Sequence, residues 1–411
     1  MIQSVCILGR QPEIGLAELE SLYGQASVAR LSDHAVGLML DPHRVDFMRL
    51  GGSTRFGGVV GEIPSADWKQ VEKGLVAFAR STAFVIPTSG KFHLGLSAYG
   101  FDISAAKLNA LGLTIKKVVR ARHDGSVRLA PNNETELSTA QVIHNNLVGP
   151  NGAELLIIAG ANKTYLAKTI NVQDIESYTL RDRGRPKRDA RIGMLPPKLA
   201  QIIINLAAGT AEPHAYVQDN TALSRPQVLD PFCGTGVILQ EALLTGFRCS
   251  GTDLEPRMVA YSRENIDWLL KTCHLPAPPP EIAVGDATSY SWQQTIDFVA
   301  CETYLGRPFT SPPSREILEK TVREVDTIIR KFLRNIHPQL SSGTRLCVAV
   351  PAWSLDGQYQ RSADKFRHLP TLDQLTDLGY NQVQYVHAPQ NLIYHRDGQV
   401  VGRELVTLVR N

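Results

Sequence analysis

The stretch VLDPFCGTGVIL, residues 228–239, decides the fold. A short apolar run ends in an acidic residue, Asp230. A turn containing Gly234 and Gly236 follows, and then helical spacing begins. This is strand, glycine-rich turn, helix, and the glycines let the backbone approach a ligand closely. A dinucleotide loop of the form G-x-G-x-x-G would need a third glycine where Leu239 stands. Outward from the loop, strands are expected at 228–230, 249–253, 282–284, 297–301 and 345–350, with a late pair near 382–386 and 404–409. Ahead of them Pro196 and Pro197 open a helix through Leu206. The alternation predicts a doubly wound, Rossmann-like α/β domain over residues 196–411.

The charge at the loop narrows the ligand. An acidic strand end disfavours a pyrophosphate and suits a cation. S-adenosylmethionine carries an ammonium and a sulfonium, while the helix N-terminus can face its carboxylate. Asp230, Phe232, Gly234, Thr235 and Gly236 are therefore the expected cofactor loop. Asp253, with Leu254, ends the second strand seventeen residues after Gly236, placed to accept from ribose hydroxyls. Asp286 and Ala287 follow the third strand, where a carboxylate can meet an adenine amine. Each aspartate taken alone can also be a helix cap or turn residue, a rival that weighs more for Asp286 than for Asp230.

The rest of the chain sets the context. At 411 residues it exceeds one ordinary domain, and 43% hydrophobic with 20% charged residues is a globular composition. The formal charge of +3 does not by itself announce nucleic acid. The six cysteines form no C-x-x-C pair and no zinc spacing, so no metal is expected. With neither a basic-apolar leader nor a membrane-length apolar run, the chain reads as reduced, cytoplasmic and non-membrane. Residues 1–172 alternate short strands and helices in small α+β modules. Two basic clusters stand out. One is Lys116, Lys117, Arg120, Arg122 and Arg128, with one acid, Asp124. The other is RDRGRPKRDAR, residues 181–191, whose Arg181, Arg183, Arg185, Lys187, Arg188 and Arg191 face two acids. It reads as an interdomain linker, and both clusters could grip RNA phosphates or be merely a solvated turn and a hydrophilic hinge.

At three stretches the chain resembles the THUMP-containing tRNA guanine-N2 methyltransferases, which modify guanine 10 of tRNA. They are RIGMLPPKLAQIIINLA (191–207), DPFCGTG (230–236) and LIYHRDGQVVGRELV (392–406). More weakly, GKFHLGLSAYG (90–100) looks like a THUMP strand. The resemblance implies an N-terminal ferredoxin-like piece over 1–50, a THUMP RNA-binding domain over 51–172, a basic linker over 173–195 and the methyltransferase domain. It also implies S-adenosylmethionine as cofactor, tRNA as partner and, in some relatives, a small activator protein.

The same resemblance locates the chemistry after the fourth strand. The family carries Asp or Asn followed by Pro-Pro-Tyr, whereas this chain reads Cys301-Glu302-Thr303-Tyr304-Leu305. Glu302 matches the acidic position, and Tyr304 sits one place before the expected aromatic. Guanine's exocyclic amine is a poor nucleophile that must be oriented, so Glu302 and the Thr303 carbonyl would accept its two hydrogens while Tyr304 stacks on the base. The rival expectation is an RNA-binding homologue whose amine-holding motif has degenerated. Cys301 and Cys233 as nucleophiles are the weaker idea, since strand-end cysteines are more often inert packing.

Overall fold

The computed structural model describes residues 1–87, 89–189, 194–211, 225–309, 311–355 and 365–411. The chain divides into two compact units, Met1–Met48 with Gly52–Asp174, and Arg49–Gly51 with Ile175–Asn411.

The first unit is built on an eight-stranded mixed sheet: β1 (Ser4–Leu8), β2 (Val28–Arg30), β3 (Ala35–Leu38), β4 (Ser53–Ile63), β5 (Ser89–Tyr99), β6 (Asp124–Leu129), β7 (Gly152–Ala159) and β8 (Thr164–Val172). Their order is β2-β3-β1-β4-β8-β7-β5-β6. Residues on both sides of position 50 join this sheet, β1 pairing antiparallel with β4 from Ser4 opposite Gly58. The helices are α1 (Pro12–Tyr23), α2 (Trp68–Arg80), α3 (Ala105–Arg120) and α4 (Thr139–His144). On β7 the pleat sends Leu155 and Ile157 into the core beneath α2 and α3, and Leu156 and Ile158 into a second core with Val5 and Ile7. Burial on both faces explains its unbroken apolar run.

Apolar spacing in the sequence predicts a helix over 103–111, but α3 runs on through Gly112 to Arg120. A Cβ on Gly112 would meet Leu129 at 3.0 Å, so the glycine serves close packing against β6 rather than stopping the helix.

The second unit begins with α5 (Ile175–Thr179), a π-type turn at Leu180–Gly184 and α6 (Pro197–Ala208). The sheet strands are β9 (Gln227–Asp230), β10 (Arg248–Asp253), β11 (Glu281–Val284), β12 (Phe298–Glu302), β13 (Arg345–Ser354), β14 (Phe366–Arg367), β15 (Tyr380–Gln382), β16 (Ile393–Tyr394) and β17 (Val401–Arg410). The helices are α7 (Val237–Leu244), α8 (Pro256–Thr272) and α9 (Arg315–Ile336). The main order is β11-β10-β9-β12-β13-β17-β15, with β14 on β13 and β16 on β17. Strands β9 to β13 run parallel and β17 antiparallel. The expected late strand at 382–386 lies earlier, at 380–382, where Tyr380 is buried and donates its hydroxyl to the Leu333 carbonyl.

Helix α6 is buried at almost every position, which is why its sequence is apolar all round. Helix α9 is amphipathic, capped by Ser314, and its Val322, Val325, Ile329 and Phe332 cover Val299, Cys301, Val348 and Val350. Walking out from β9, the chain builds β10 and β11 to one side and then returns to build β12 on the other. Such a reversal opens a crevice at the carboxyl ends of the strands.

Candidate cofactor and substrate site

Two strands flank the reversal, and each ends in a carboxylate. Asp230 ends β9 and is 1% exposed. Its Oδ1 accepts from the Phe232 amide at 3.1 Å, and its other oxygen takes no partner among the described residues. Burial pushes this carboxyl well above its usual range, and the charges of Asp253 and Glu302 push the same way. Among the described residues, no cation offsets this rise.

The loop is held by its own backbone. The Cys233 amide donates to the Thr252 carbonyl, the Thr252 hydroxyl to the Pro231 carbonyl, and the Gly236 amide to the Cys233 carbonyl. Gly234 and Gly236 have φ of +51° and +80°, which other residues adopt only at a cost. A Cβ on Gly236 would also meet the Ser262 hydroxyl at 2.3 Å. Phe232 is anchored edge-on to Phe332, with centroids 5.0 Å apart, while the Thr235 carbonyl accepts from buried Asn265.

Asp253 ties the loop to the next strand. Its Oδ2 accepts from the Gly234 amide at 2.8 Å and its Oδ1 from the Glu255 amide at 2.9 Å. Burial raises its pKa, and these two hydrogen bonds oppose the rise. Each oxygen keeps a second lone pair, so the carboxylate can still accept from a ligand. Asp286 is exposed, and its Oδ1 accepts from both the amide and the hydroxyl of Thr288, the turn arrangement that rivalled an adenine contact in the sequence. Ala287 is buried. Beside these groups, Leu254 (64% exposed), Val284 (50%) and Tyr304 (46%) are large apolar side chains left open at the carboxyl ends of β10, β11 and β12.

Glu302 ends β12 with its side chain 16% exposed, its Oε1 accepting from Nε of Arg403 on β17. Burial raises its pKa and Arg403 pulls it back. Thr303 is buried, with both its amide and its hydroxyl donated to the Ala349 carbonyl at 3.0 Å, which fixes the backbone here. Cys301 faces the core at 0% exposure, and burial pushes its thiol well up; Cys233 is likewise buried and raised. Neither is an available nucleophile.

The basic clusters divide by burial. Lys117, Arg120 and Arg128 are exposed and Lys116 is half-buried. Arg122 donates to the Ala79 and Phe84 carbonyls, closing the end of α2. The second cluster requires a correction. Arg181 is buried in a two-pronged ion pair with Glu241 of α7, at 2.7 and 3.2 Å, and Arg185 is 3% exposed. These two guanidinium groups are part of the second unit's interior, not a surface grip. Lys187 pairs with Glu264 at 3.1 Å, while its backbone hydrogen-bonds to Asn265. Residues 181–189 are consequently no hydrophilic hinge. Arg183 and Arg188 are exposed, and Arg191 lies outside the described residues.

Sequence reasoning passed over Arg403 and Asn265. For Arg403 there was a signal: the pair Arg403-Glu404 interrupts an otherwise apolar strand, and a charge at such a position needs a partner. Glu404 also has one, His368 at 2.6 Å.

Together the reversal, the acidic strand end and the left-handed glycine turn define the Rossmann-like fold of class I methyltransferases. The crystal structure of TrmN from Thermus thermophilus shares this fold, with a TM-score of 0.50 at 16% identity over 100% of both chains. More particularly, the chain is similar to the tRNA (guanine(10)-N2)-dimethyltransferase of Methanothermobacter thermautotrophicus, 30% identical over 159 residues, 39% of this chain and 39% of that protein. The enzyme of the same name from Pyrococcus abyssi is 29% identical over 159 residues, 38% of this chain and 42% of its own length. The match thus spans about two-fifths of these relatives. No family model matches the chain. Among the described residues, no helix is long and apolar enough to cross a membrane.

Proposed function

We propose that this protein is an S-adenosylmethionine-dependent methyltransferase acting on the exocyclic N2 amine of a guanine in tRNA. The observation that carries the reading is a charge imbalance. Three carboxylates, Asp230, Asp253 and Glu302, gather at the carboxyl ends of β9, β10 and β12, and among the described residues Arg403 is the cation paired with them. Charge held in a partly buried site without a counter-ion is costly, so the site favours a cationic ligand. S-adenosylmethionine supplies an electrophilic methyl group on a positive sulfur. Asp230 and the Gly234–Gly236 turn would hold its charged end, with Asp253 on the ribose hydroxyls and Leu254 and Val284 against the adenine faces.

On the substrate side, Glu302 and the Thr303 carbonyl would accept the two amine hydrogens, turning the nitrogen lone pair toward the methyl carbon, and Tyr304 would stack on the base. In this reading the first unit holds the tRNA through a ferredoxin-like piece and a THUMP domain. Exposed Lys117, Arg120 and Arg128, with Arg183 and Arg188 of the second unit, would contribute the basic contacts. The six unpaired cysteines suit a reducing, cytoplasmic setting.

The test is incubation with S-adenosylmethionine and unmodified tRNA, followed by digestion and mass identification of nucleosides, beside a Glu302→Ala control. The expected product is N2-methylated guanosine, lost in the control. Binding of tRNA and cofactor without transfer would overturn the reading in favour of a non-catalytic homologue.

A further inference from the structure

We infer that Arg403 is a positioning residue that sets the orientation and the charge of Glu302, an inference that rests on the reading above. The two residues lie 101 positions apart and meet across β13, which stands between their strands. In the sheet register Glu302 is opposite Ala349, and Arg403 is opposite Pro351 on the other side of the same strand. Arg403 is itself 7% exposed. Its guanidinium therefore reaches its partner through the protein rather than through water, where an ion pair is far less weakened by screening.

The chemistry of the amine makes this pair matter. Glutamate has one more rotatable bond than aspartate and carries its oxygens about 1 Å further, and a misplacement of that size costs on the order of a hundredfold in rate. Arg403 removes the extra freedom by fixing Oε1, which leaves Oε2, without a partner among the described residues, as the acceptor for one amine hydrogen. It also protects the acceptor's charge. A protonated carboxyl would present a donor to the amine, and burial favours that form. Of the other elements packed on β12, β13 carries Arg345 at its opposite end and the buried Cys347, α6 carries Lys198, and α9 packs there through the apolar Val322, Val325, Ile329 and Phe332. Among the described residues, Arg403 is thus the cation that opposes the effect of burial on Glu302.

The test compares the wild-type chain with Arg403→Met and Arg403→Lys, measuring methyl transfer to unmodified tRNA across pH together with calorimetric binding of S-adenosylhomocysteine. We expect Arg403→Met to lose about a hundredfold in kcat at neutral pH, with the acid limb of its profile moved to higher pH because Glu302 there takes a proton more readily. Arg403→Lys should recover part of the rate and return the limb toward its wild-type position. Binding of S-adenosylhomocysteine should stay within about threefold in both variants, since neither changes the loop. An Arg403→Met profile that keeps its wild-type shape, whether or not the rate falls, overturns the inference while leaving the proposed activity standing. Failure of the lysine variant to recover any rate, or loss of S-adenosylhomocysteine binding, also overturns it, because the role would then be structural. A wild-type chain that transfers no methyl group removes the proposed activity and this inference with it.

Discussion

Asp230→Asn should make the protein more stable and less able to bind its cofactor. Asparagine keeps the shape of the side chain and an oxygen to accept from the Phe232 amide, so the substitution removes little except charge. In the wild-type protein that charge sits at 1% exposure beside Asp253 and Glu302, and the folded chain holds the Asp230 proton to a higher pH than the unfolded chain does. Between the unfolded pKa, about 3.9, and the raised folded value, folding takes up a proton, so the Asp230 contribution to stability falls as pH rises. Asparagine escapes that loss. Its advantage should be absent below the unfolded pKa, grow through the window and level off above the folded value, reaching on the order of 1 kcal/mol, as for other relieved functional sites. The cofactor loses a charge-assisted contact worth about 1.5–3 kcal/mol, roughly a 10- to 150-fold weaker Kd. Urea unfolding at pH 4 and pH 8 without ligand measures the first effect, and calorimetry with S-adenosylmethionine the second. If Asp230→Asn is less stable than wild type at pH 8, or binds the cofactor equally well, the charge argument for this site is wrong.

Arg181→Ala should cost about 3–5 kcal/mol, because it strands Glu241 as an unpaired buried acid. The double change Arg181→Met with Glu241→Leu should recover most of that in urea unfolding, whereas a stable Arg181→Ala protein with weakened tRNA binding would restore the surface-grip reading. Gly236→Ala should weaken both thermal stability and cofactor affinity more than Gly234→Ala. Both pay about 1–2 kcal/mol for positive φ, but only the former drives a methyl group into Ser262. Replacing exposed Lys117, Arg120 and Arg128 together by alanine should flatten the salt dependence of tRNA binding, by about 0.7–0.9 in log–log slope for each phosphate released. An unchanged slope would take that face out of the RNA contact. Arg122→Ala, in contrast, should act on stability, since its guanidinium closes the end of α2.

Much of the second unit was legible because its signals are local. An acid at a strand end, glycines at left-handed positions and helical spacing after them all fall within the twelve residues 228–239, and the structure keeps them together as β9, turn and α7. The next strands read equally well, since a buried parallel strand is a short apolar run closed by a polar residue. The helix expected over 103–111 runs on through Gly112 to Arg120, because close packing against Leu129 rewards the missing Cβ there. The short strand β6 went unread because alternation in DGSVRL is weak and only its parallel pairing with β5 defines it.

Local signals could not reveal which charges neutralise one another. Arg181 read as one more basic residue in a polar stretch, yet its counter-charge lies 60 positions on, in the otherwise apolar helix VILQEALL. Glu154 interrupts the apolar strand GAELLIIA and is met by Arg55 at 3.5 Å. Arg403 and Glu404 interrupt β17 and are met by Glu302 and His368. The cause is common to all three cases. An ion within an apolar run is driven into the interior by its neighbours, and its desolvation cost is met only by a partner placed there by another element. A charge in an apolar strand or helix therefore announces that a distant counter-charge exists, and the topology decides which residue supplies it. In the first two cases the opposite charges meet within the core. At the reversal of the second sheet, among the described residues, Arg403 pairs with one of three carboxylates, and the proposed function rests on that remainder as a place for a cation.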